Sequence, residues 1–563
     1  MRPGAPSDRL PLGDLPVSLF PRNLAGRARI LKVLCELFRL MSRFMRTTVT
    51  KTGLTGPAPC RRGESASLSH RRHDRSAIVS DTLAASTSIA QAPSIEERLD
   101  HAPTIAFCVM FALLLFLPQI LNDSDTLWQI RTGEWILDYH AIPAIDPFSF
   151  TAGDRPWFAH EWLAETLMAL AYRTGGMSGI MILAAFASGL TAAILLHYLR
   201  RFLPGIHAVV ALIVALSNAA PSMLARPHLL AWPCLALWCG GLATARADRA
   251  APSFALLPVM LVWVNLHGSF MVGLLLPGAF MLEALLDPGS ARRRVLTTWT
   301  AFILAAWAVA LLNPDFLAGV LFPFHLLGMK SLAWIGEWEP TDFSRLQPLE
   351  LMILAALALG LSGKVMLPSI RLLMFLGLIH GALSHSRNEQ LLGIIGALVL
   401  AEPLGASLGR GHAEMLGAAW RFVAKGAAML AAVAFVVRIL LPLNPERTGA
   451  AFAATLDHVP ASLRAAPVLN DYSLGGQLIF QGVRPFIDSR ADLYGDAFLG
   501  RYRRVIWPDR DALTLALSEF GIRWTMFPSD HRIIPLLDGQ PGWRRLVEVD
   551  GVVIHTHGDA MER

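Results

Sequence analysis

The chain has 563 residues, of which 54% are hydrophobic and only 16% charged, with a formal net charge of +6 and a mean hydropathy of +0.46. Soluble domains carry about 25% charged residues, and here much of the charge falls in the first hundred residues, so the remainder excludes an ordinary soluble globular protein. Five cysteines, Cys35, Cys60, Cys108, Cys234 and Cys239, show no metal-like spacing, which argues against a disulfide framework or a zinc site.

Residues 1–100 mix Pro, Gly, Ser and Arg without a sustained period, apart from the basic amphipathic stretch RARILKVLCELFRLMSRFMR. They are expected to form a disordered basic cytoplasmic extension; a membrane-surface anchor is the sharper alternative. A start codon placed too far upstream is the other reading of the same composition. Charge interrupts its apolar residues throughout, which excludes a cleavable signal peptide.

From residue 103 to about 442 apolar runs of bilayer length recur, since a hydrocarbon core of ~30 Å takes roughly 20 residues per helix. Eleven spans are expected, at 103–121, 177–199, 206–224, 228–245, 253–266, 269–286, 295–314, 349–363, 369–385, 390–408 and 417–442. The loops LRRF, ARADRA, ARRRV, Lys364 with Arg371, and GRGHAEM with Arg421 alternate along them. Basic loops stay inside, so residue 80 is expected in the cytoplasm and residue 500 in the periplasm. The fold class expected is therefore an α-helical polytopic membrane protein with a small C-terminal α/β periplasmic domain. Its parts would be the extension 1–100, a multi-span domain 101–443 with a long first periplasmic loop 122–176, and the domain 444–563. In the last part, β-like runs stand at APVLN, RPFIDSR, RWTMFPS and LVEVDGVVIHTH, with helical patterns at 496–505 and 511–520.

With that orientation the polar clusters gather on one face: the loop after Asn122, ARPHLL, VNLHGSF, LLNPDF, IGEWEP and SHSRNEQ. Charge near a bilayer is costly and is justified by pairing or by function. Each cluster has two readings. Asp123 and Asp125 in NDSDT suit helix capping and equally a catalytic or ligand role. Trp128, Trp135 and Trp162 suit interfacial anchoring or sugar stacking. Arg226 and Arg387 stand at outer span ends against the positive-inside trend, which points to anion binding. His267 suits either a hydrogen bond at a broken helix or a ligand contact, and Glu337 and Trp338 are read as structural. Asp488, Arg490 and Asp492 alternate, so an extended chain would point all three one way. They make either an ion-pair ladder or an acceptor-binding face with Tyr494 as a stacking ring.

These motifs carry a resemblance. A long first outer loop that opens with an acid and continues as amphipathic helices, here NDSDTLWQIRTGEWIL and HEWLAETLMALAYRTGG, resembles the GT-C superfamily of membrane glycosyltransferases. More narrowly, the chain is similar to a group of bacterial polytopic proteins with the pattern DTWWHI, GEWI, DPFS, EWL, RPH, NLHG, NP, EW, RN and FIDGRADLYGD. The resemblance covers about 100–560. It departs at Leu127 and Gln129 in DTLWQI and at Ser489 in FIDSRADLYGD. It implies transfer of a sugar from a polyprenyl-phosphate donor to a periplasmic or lipid-linked acceptor at the bacterial inner membrane. Asp125 would be the catalytic base, with Asp123 second. Arg226, His228, His267 and Arg387 would meet the phosphate, and Trp128, His160, Glu161, Asp488, Arg490, Asp492 and Tyr494 complete the substrate-binding set. The cofactor is unassigned; the chemistry admits a divalent metal, and no residue is assigned as its ligand. The partners expected are a lipid-linked sugar donor, a glycan or lipid acceptor and the membrane, with no nucleic acid. A lipid-linked glycan transporter or flippase, and a non-catalytic envelope assembly protein, are the alternatives.

Overall fold

The computed structural model describes residues 101–153, 155–408, 419–441, 443, 453–507 and 509–558. The extension 1–100 and the basic loop at 409–418 lie outside the described residues. The helices in order are α1 (Ala102–Leu114), α2 (Ser124–Tyr139), α3 (Trp162–Phe202), α4 (Gly205–Ala219), α5 (Pro227–Ala247), α6 (Leu257–Leu266) and α7 (Phe270–Leu286). There follow α8 (Arg292–Ala310), α9 (Phe316–Leu327), α10 (Pro348–Leu361), α11 (Ser369–Ser384), α12 (Glu389–Leu408) and α13 (Ala419–Leu440). Each of the eleven expected spans carries a helix. Among the described residues, five helical stretches are long and apolar enough to cross a bilayer: Trp162–Phe202, Gly205–Ser222, Pro227–Ala247, Ser386–Leu408 and Trp420–Leu440. Helix α9 was not expected. Its 12 residues fall below the ~17 a span needs, so a search for spans passes over it.

Two features place the first loop. Gly176, at φ 58° and ψ −147°, has a backbone only glycine adopts readily, and it separates the amphipathic start of α3 from its apolar remainder. Gly189 lies against α1, where a Cβ would sit 3.0 Å from the Phe107 carbonyl; small residues admit such close helix approach. At the far end of the bundle the charges within apolar helices are paired. Arg371, 1% exposed, donates from Nε to both oxygens of Glu283 at 3.1 Å and from a terminal nitrogen to Glu402 at 2.5 Å. Arg246 lies 3.3 Å from Glu283 and 2.7 Å from Asp287. The cluster ties α5, α7, α11 and α12 together, and loss of one partner of such a buried pair costs about 3–5 kcal/mol.

Beyond residue 453 the chain forms α14 (Ala453–Asp457), α15 (Ala461–Arg464), β1 (Val468–Asn470), α16 (Gly475–Phe480), α17 (Ala491–Ile506), α18 (Arg510–Glu519), β2 (Trp524–Pro528), α19 (Ile534–Asp538), β3 (Trp543–Val549) and β4 (Val552–His557). The sheet order is β1-β2-β4-β3. β1 runs parallel to β2, with Leu469 opposite Thr525, and the other pairs are antiparallel.

The run RPFIDSR, expected as a strand, is irregular. Its backbone groups are taken elsewhere. The Asn470 side chain accepts from Phe486 N at 2.9 Å and donates to Ile487 O at 2.8 Å. The first loop takes Pro485 O through Phe150 N at 3.3 Å and Phe486 O through the Thr151 hydroxyl at 2.5 Å. One apolar core accordingly joins Trp128, Ala152, Trp157 and Ala159 of the first loop to Phe486, Ile487, Tyr494 and Phe527. Gly476 completes the seat, since a Cβ there would collide with the Ser124 carbonyl.

Candidate active site

Asp123 is the N-cap of α2, in extended conformation, and its Oδ1 accepts from the Asp125 amide at 2.8 Å. Its Oδ2 accepts from Arg226 Nε. Capping and ion pairing thus use both oxygens, and the residue is 6% exposed. Asp125 follows in the first helical turn. Its Oδ2 lies 3.1 Å from a terminal nitrogen of Arg226, with the Asp125 side chain 17% exposed. Its Oδ1 accepts from the Ser489 hydroxyl. Of the two acids, Asp125 is the one within reach of a ligand.

Arg226, the N-cap of α5, spans three carboxylates. The same terminal nitrogen that meets Asp125 donates to Glu337 Oε2 at 2.7 Å. Arg387 donates to the other oxygen, Glu337 Oε1, at 3.1 Å, and its guanidinium carbon stands 4.3 Å over the Trp338 ring. Glu337, read from sequence as structural, thus sits between the two candidate anion-binding arginines.

A second group stands beside the first. Glu161 Oε1 is 3.6 Å from His267 Nε2 and 3.7 Å from His160 Nε2. The Ser269 amide donates to His267 Nδ1 at 3.1 Å, so the neutral ring carries its proton on Nε2, toward Glu161. His228 donates from Nε2 to Ser222 O at 2.7 Å, and its ring lies 5.9 Å from that of His267.

The electrostatics follow the burial. Burial pushes the Asp125 carboxyl up to about 6 against the pull of Arg226; Asp123 raises it further, the Ser489 hydrogen bond lowers it, and Glu337 adds a smaller rise. Burial also raises Glu161, against His160 and Arg387 and with help from the Asp125 charge. At the break between α6 and α7, burial and then the His228 and Arg387 charges hold His267 well below its usual range. Burial works against ionisation of Glu337 too, and Arg387 and Arg226 outweigh it, so that carboxyl is lowered. The result is a carboxylate poised near neutrality beside two fixed cations and neutral imidazole.

Other expectations need correction. Trp128 is 8% exposed, which suits neither interfacial anchoring nor sugar stacking; its indole donates to Ser489 Oγ at 3.0 Å. Asp488, Arg490 and Tyr494 are 0%, 2% and 1% exposed. Arg490 takes both oxygens of Asp488, from Nε at 2.8 Å and a terminal nitrogen at 2.7 Å, and reaches Asp146 at 2.8 Å. The Tyr494 hydroxyl donates to Asp488 at 2.7 Å. Trp157, Phe148 and Trp128 surround the guanidinium at 4.6, 5.4 and 5.8 Å. These side chains form a sealed ion-pair ladder, with no open face for an acceptor. Asp492 does not extend the alternation, because it falls in the first turn of α17. It stays half-buried, and burial pushes it up to about 6 against Arg490. The DPFS turn has a role here: Asp146 accepts from the Phe148 and Ser149 amides at 3.0 and 2.9 Å while receiving Arg490.

From sequence Glu337, which joins the arginines, has a structural part only, and no part is assigned to Ser489, which holds Asp125, or to Tyr472, which donates its hydroxyl to Ser489 O at 2.9 Å. For Ser489 the one signal in the sequence is its departure from the glycine of the motif. Among the described residues, no group of three or more His, Cys, Asp or Glu side chains is arranged to hold a metal ion.

No family model and no curated protein matches the chain. Two solved structures align with it at a TM-score of 0.44. One is the archaeal oligosaccharyltransferase AglB from Archaeoglobus fulgidus, in complex with an inhibitory peptide and a dolichol-phosphate, at 11% identity over 76% of this chain and 69% of that one. The other is ArnT from Cupriavidus metallidurans bound to undecaprenyl phosphate, at 14% identity over 80% of this chain and 97% of that one. At these values neither likeness transfers a residue's role or an activity.

Proposed function

We propose that the protein is a membrane glycosyltransferase that moves a sugar from a polyprenyl-phosphate donor to a glycan or lipid acceptor at the outer face of a bacterial inner membrane. The observation that carries this reading is the convergence of Arg226 and Arg387 on the two oxygens of one carboxylate, Glu337, beside Asp125. Two guanidinium groups that hold a carboxylate oxygen each are also matched to two oxygens of a phosphate. A lipid phosphate arriving there displaces Glu337, and Asp125 faces the acceptor. The acceptor hydroxyl oxygen bonds to the anomeric carbon as the bond from that carbon to the phosphate oxygen breaks. The hydroxyl proton passes to the Asp125 carboxylate, and the polyprenyl phosphate leaves with the bonding electron pair, stabilised by the arginines.

Mass spectrometry of envelope glycans and lipid-linked sugars, in a deletion strain and in that strain carrying Asp125→Asn, tests the reading. The expected result is a missing glycan substituent and an accumulated donor in both strains, with the variant present in the membrane at normal level. Unchanged glycans in the deletion strain would overturn it.

A further inference from the structure

Among the described residues of the C-terminal part, 453–558, the large apolar side chains that stand exposed are Trp507, at 51%, and Leu515, at 60%; the others are buried or half-buried. Trp507 belongs to a row of alternating rings and cations. The Arg503 guanidinium carbon lies 4.6 Å from the Trp334 ring and 5.7 Å from the Trp507 ring, and Arg532 lies 4.9 Å from the other partner of the row, Trp507. Trp334 is itself 46% exposed. Neither Arg503 nor Arg532, nor the adjacent Arg504, forms an ion pair with a carboxylate among the described residues, and all three are exposed.

The row does not stand apart from the candidate site. Trp334 ends a short turn, Lys330–Trp334, that is followed directly by the turn Gly336–Trp338 carrying Glu337. The first turn is fixed to α17 by Asp496, which accepts from the amides of Lys330 and Ser331 at 3.1 and 2.9 Å. Gly495, at φ 70°, supplies the left-handed kink that turns Asp496 toward those amides.

We infer that the Trp334–Arg503–Trp507–Arg532 row is a binding track for an acidic, uronate-bearing glycan chain that leads toward Glu337 and Asp125. The indole faces, half-exposed at Trp334 and Trp507, suit the C–H faces of sugar rings. The uncompensated guanidinium groups suit carboxylates, and the cation–ring contacts hold both sets in register. As a binding surface the row stands without the glycosyl-transfer reading; as the acceptor's track it rests on that reading.

The test uses the full chain in nanodiscs of phosphatidylcholine, with a galacturonate hexamer and the neutral maltohexaose as probes, by titration calorimetry. The galacturonate hexamer is expected to bind, more weakly as salt rises, and maltohexaose is expected to bind far less. Trp507→Ala and Arg503→Ala should each weaken the acidic probe at least tenfold, while Trp507→Phe and Asp125→Asn keep it. No binding of the acidic probe, or binding that both alanine variants retain, would overturn the inference. So would alanine variants that lower the melting temperature alone, which would make the row a structural pin, or that lose only attachment to phosphatidylglycerol vesicles, which would make it a lipid contact. Binding is read without transfer, so the two readings fail separately: full transfer by Asp125→Asn removes the base assignment and leaves the track.

Discussion

The Ser489 hydroxyl donates to Asp125 Oδ1 while its own oxygen accepts from the Trp128 indole, 3.0 Å away. An indole N–H can only donate and an ionised carboxylate can only accept, so with Asp125 ionised the hydroxyl proton is aimed at the carboxylate. A residue of the C-terminal part thereby tunes an acid on the first loop. The hydrogen bond lowers a carboxyl that burial has raised to about 6. In the proposed role of base Asp125 would work ionised, so transfer should rise as pH passes upward through about 6 and stay flat above it. Ser489→Gly should move that midpoint up by about one unit, so that the loss of rate is large at pH 5.5 and small at pH 8. Initial rates across pH for both forms give the answer, and an equal loss at every pH would remove the tuning role.

Asp125→Asn should reduce turnover by about 100-fold to 10,000-fold, the range of general-base catalysis, with little change in donor KM. Asn keeps a hydrogen-bond acceptor for Ser489 and removes the proton acceptor. A tenfold or greater rise in KM at unchanged kcat would place Asp125 in binding alone.

Glu337 competes with the phosphate if the arginines serve as proposed. Glu337→Gln should free them in part, a gain of about 1 kcal/mol, or roughly five-fold in donor KM. Product release should slow as well, because the leaving lipid phosphate meets the same stronger cations. A donor KM that rises in this variant would show that Glu337 contacts the sugar or orients the arginines.

Inside the Asp488–Arg490–Asp146 ladder, removal of the cation leaves two carboxylates buried and unpaired. Arg490→Ala should destabilise the full chain by about 3–5 kcal/mol, and Tyr494→Phe by about 1–3 kcal/mol. Thermal unfolding of the purified protein reads both. The full chain is needed, since Trp128 and Trp157 of the first loop belong to the same core as Phe486 and Tyr494.

Much of this arrangement is legible in the sequence wherever the signal is local. Apolar runs of bilayer length became helices, and NDSDT capped α2 as its side chains suggest. Arg226 and Arg387 stood out by charge alone and do converge on one carboxylate. What stayed hidden depends on partners far along the chain. Ser489 and Asp125 are 364 residues apart, and no period or spacing links them. The run RPFIDSR reads as a strand by composition, yet Asn470 and the first loop claim its backbone groups. Trp128 misled for a different reason: tryptophan suits a headgroup layer and a core alike, and only the docked C-terminal part decides between them.

Asp492 supplies a test of linkage that is separate from catalysis. Burial raises its carboxyl to about 6, Arg490 opposes the rise, and the Asp488 charge adds to it, whereas an unfolded chain holds an aspartate near 3.9. The folded state therefore binds this proton more tightly than the unfolded state does. Its contribution to stability is fully present below the unfolded value and is lost as pH rises through about 6. Asp492→Asn removes the titration, so the variant should match the wild type near pH 4 and melt higher than it at pH 8. Melting temperatures of the two forms at both pH values decide the matter. A variant that melts lower at pH 8 would mean that the ionised carboxylate is held by a favourable partner, and the sign of its pKa shift would be the reverse.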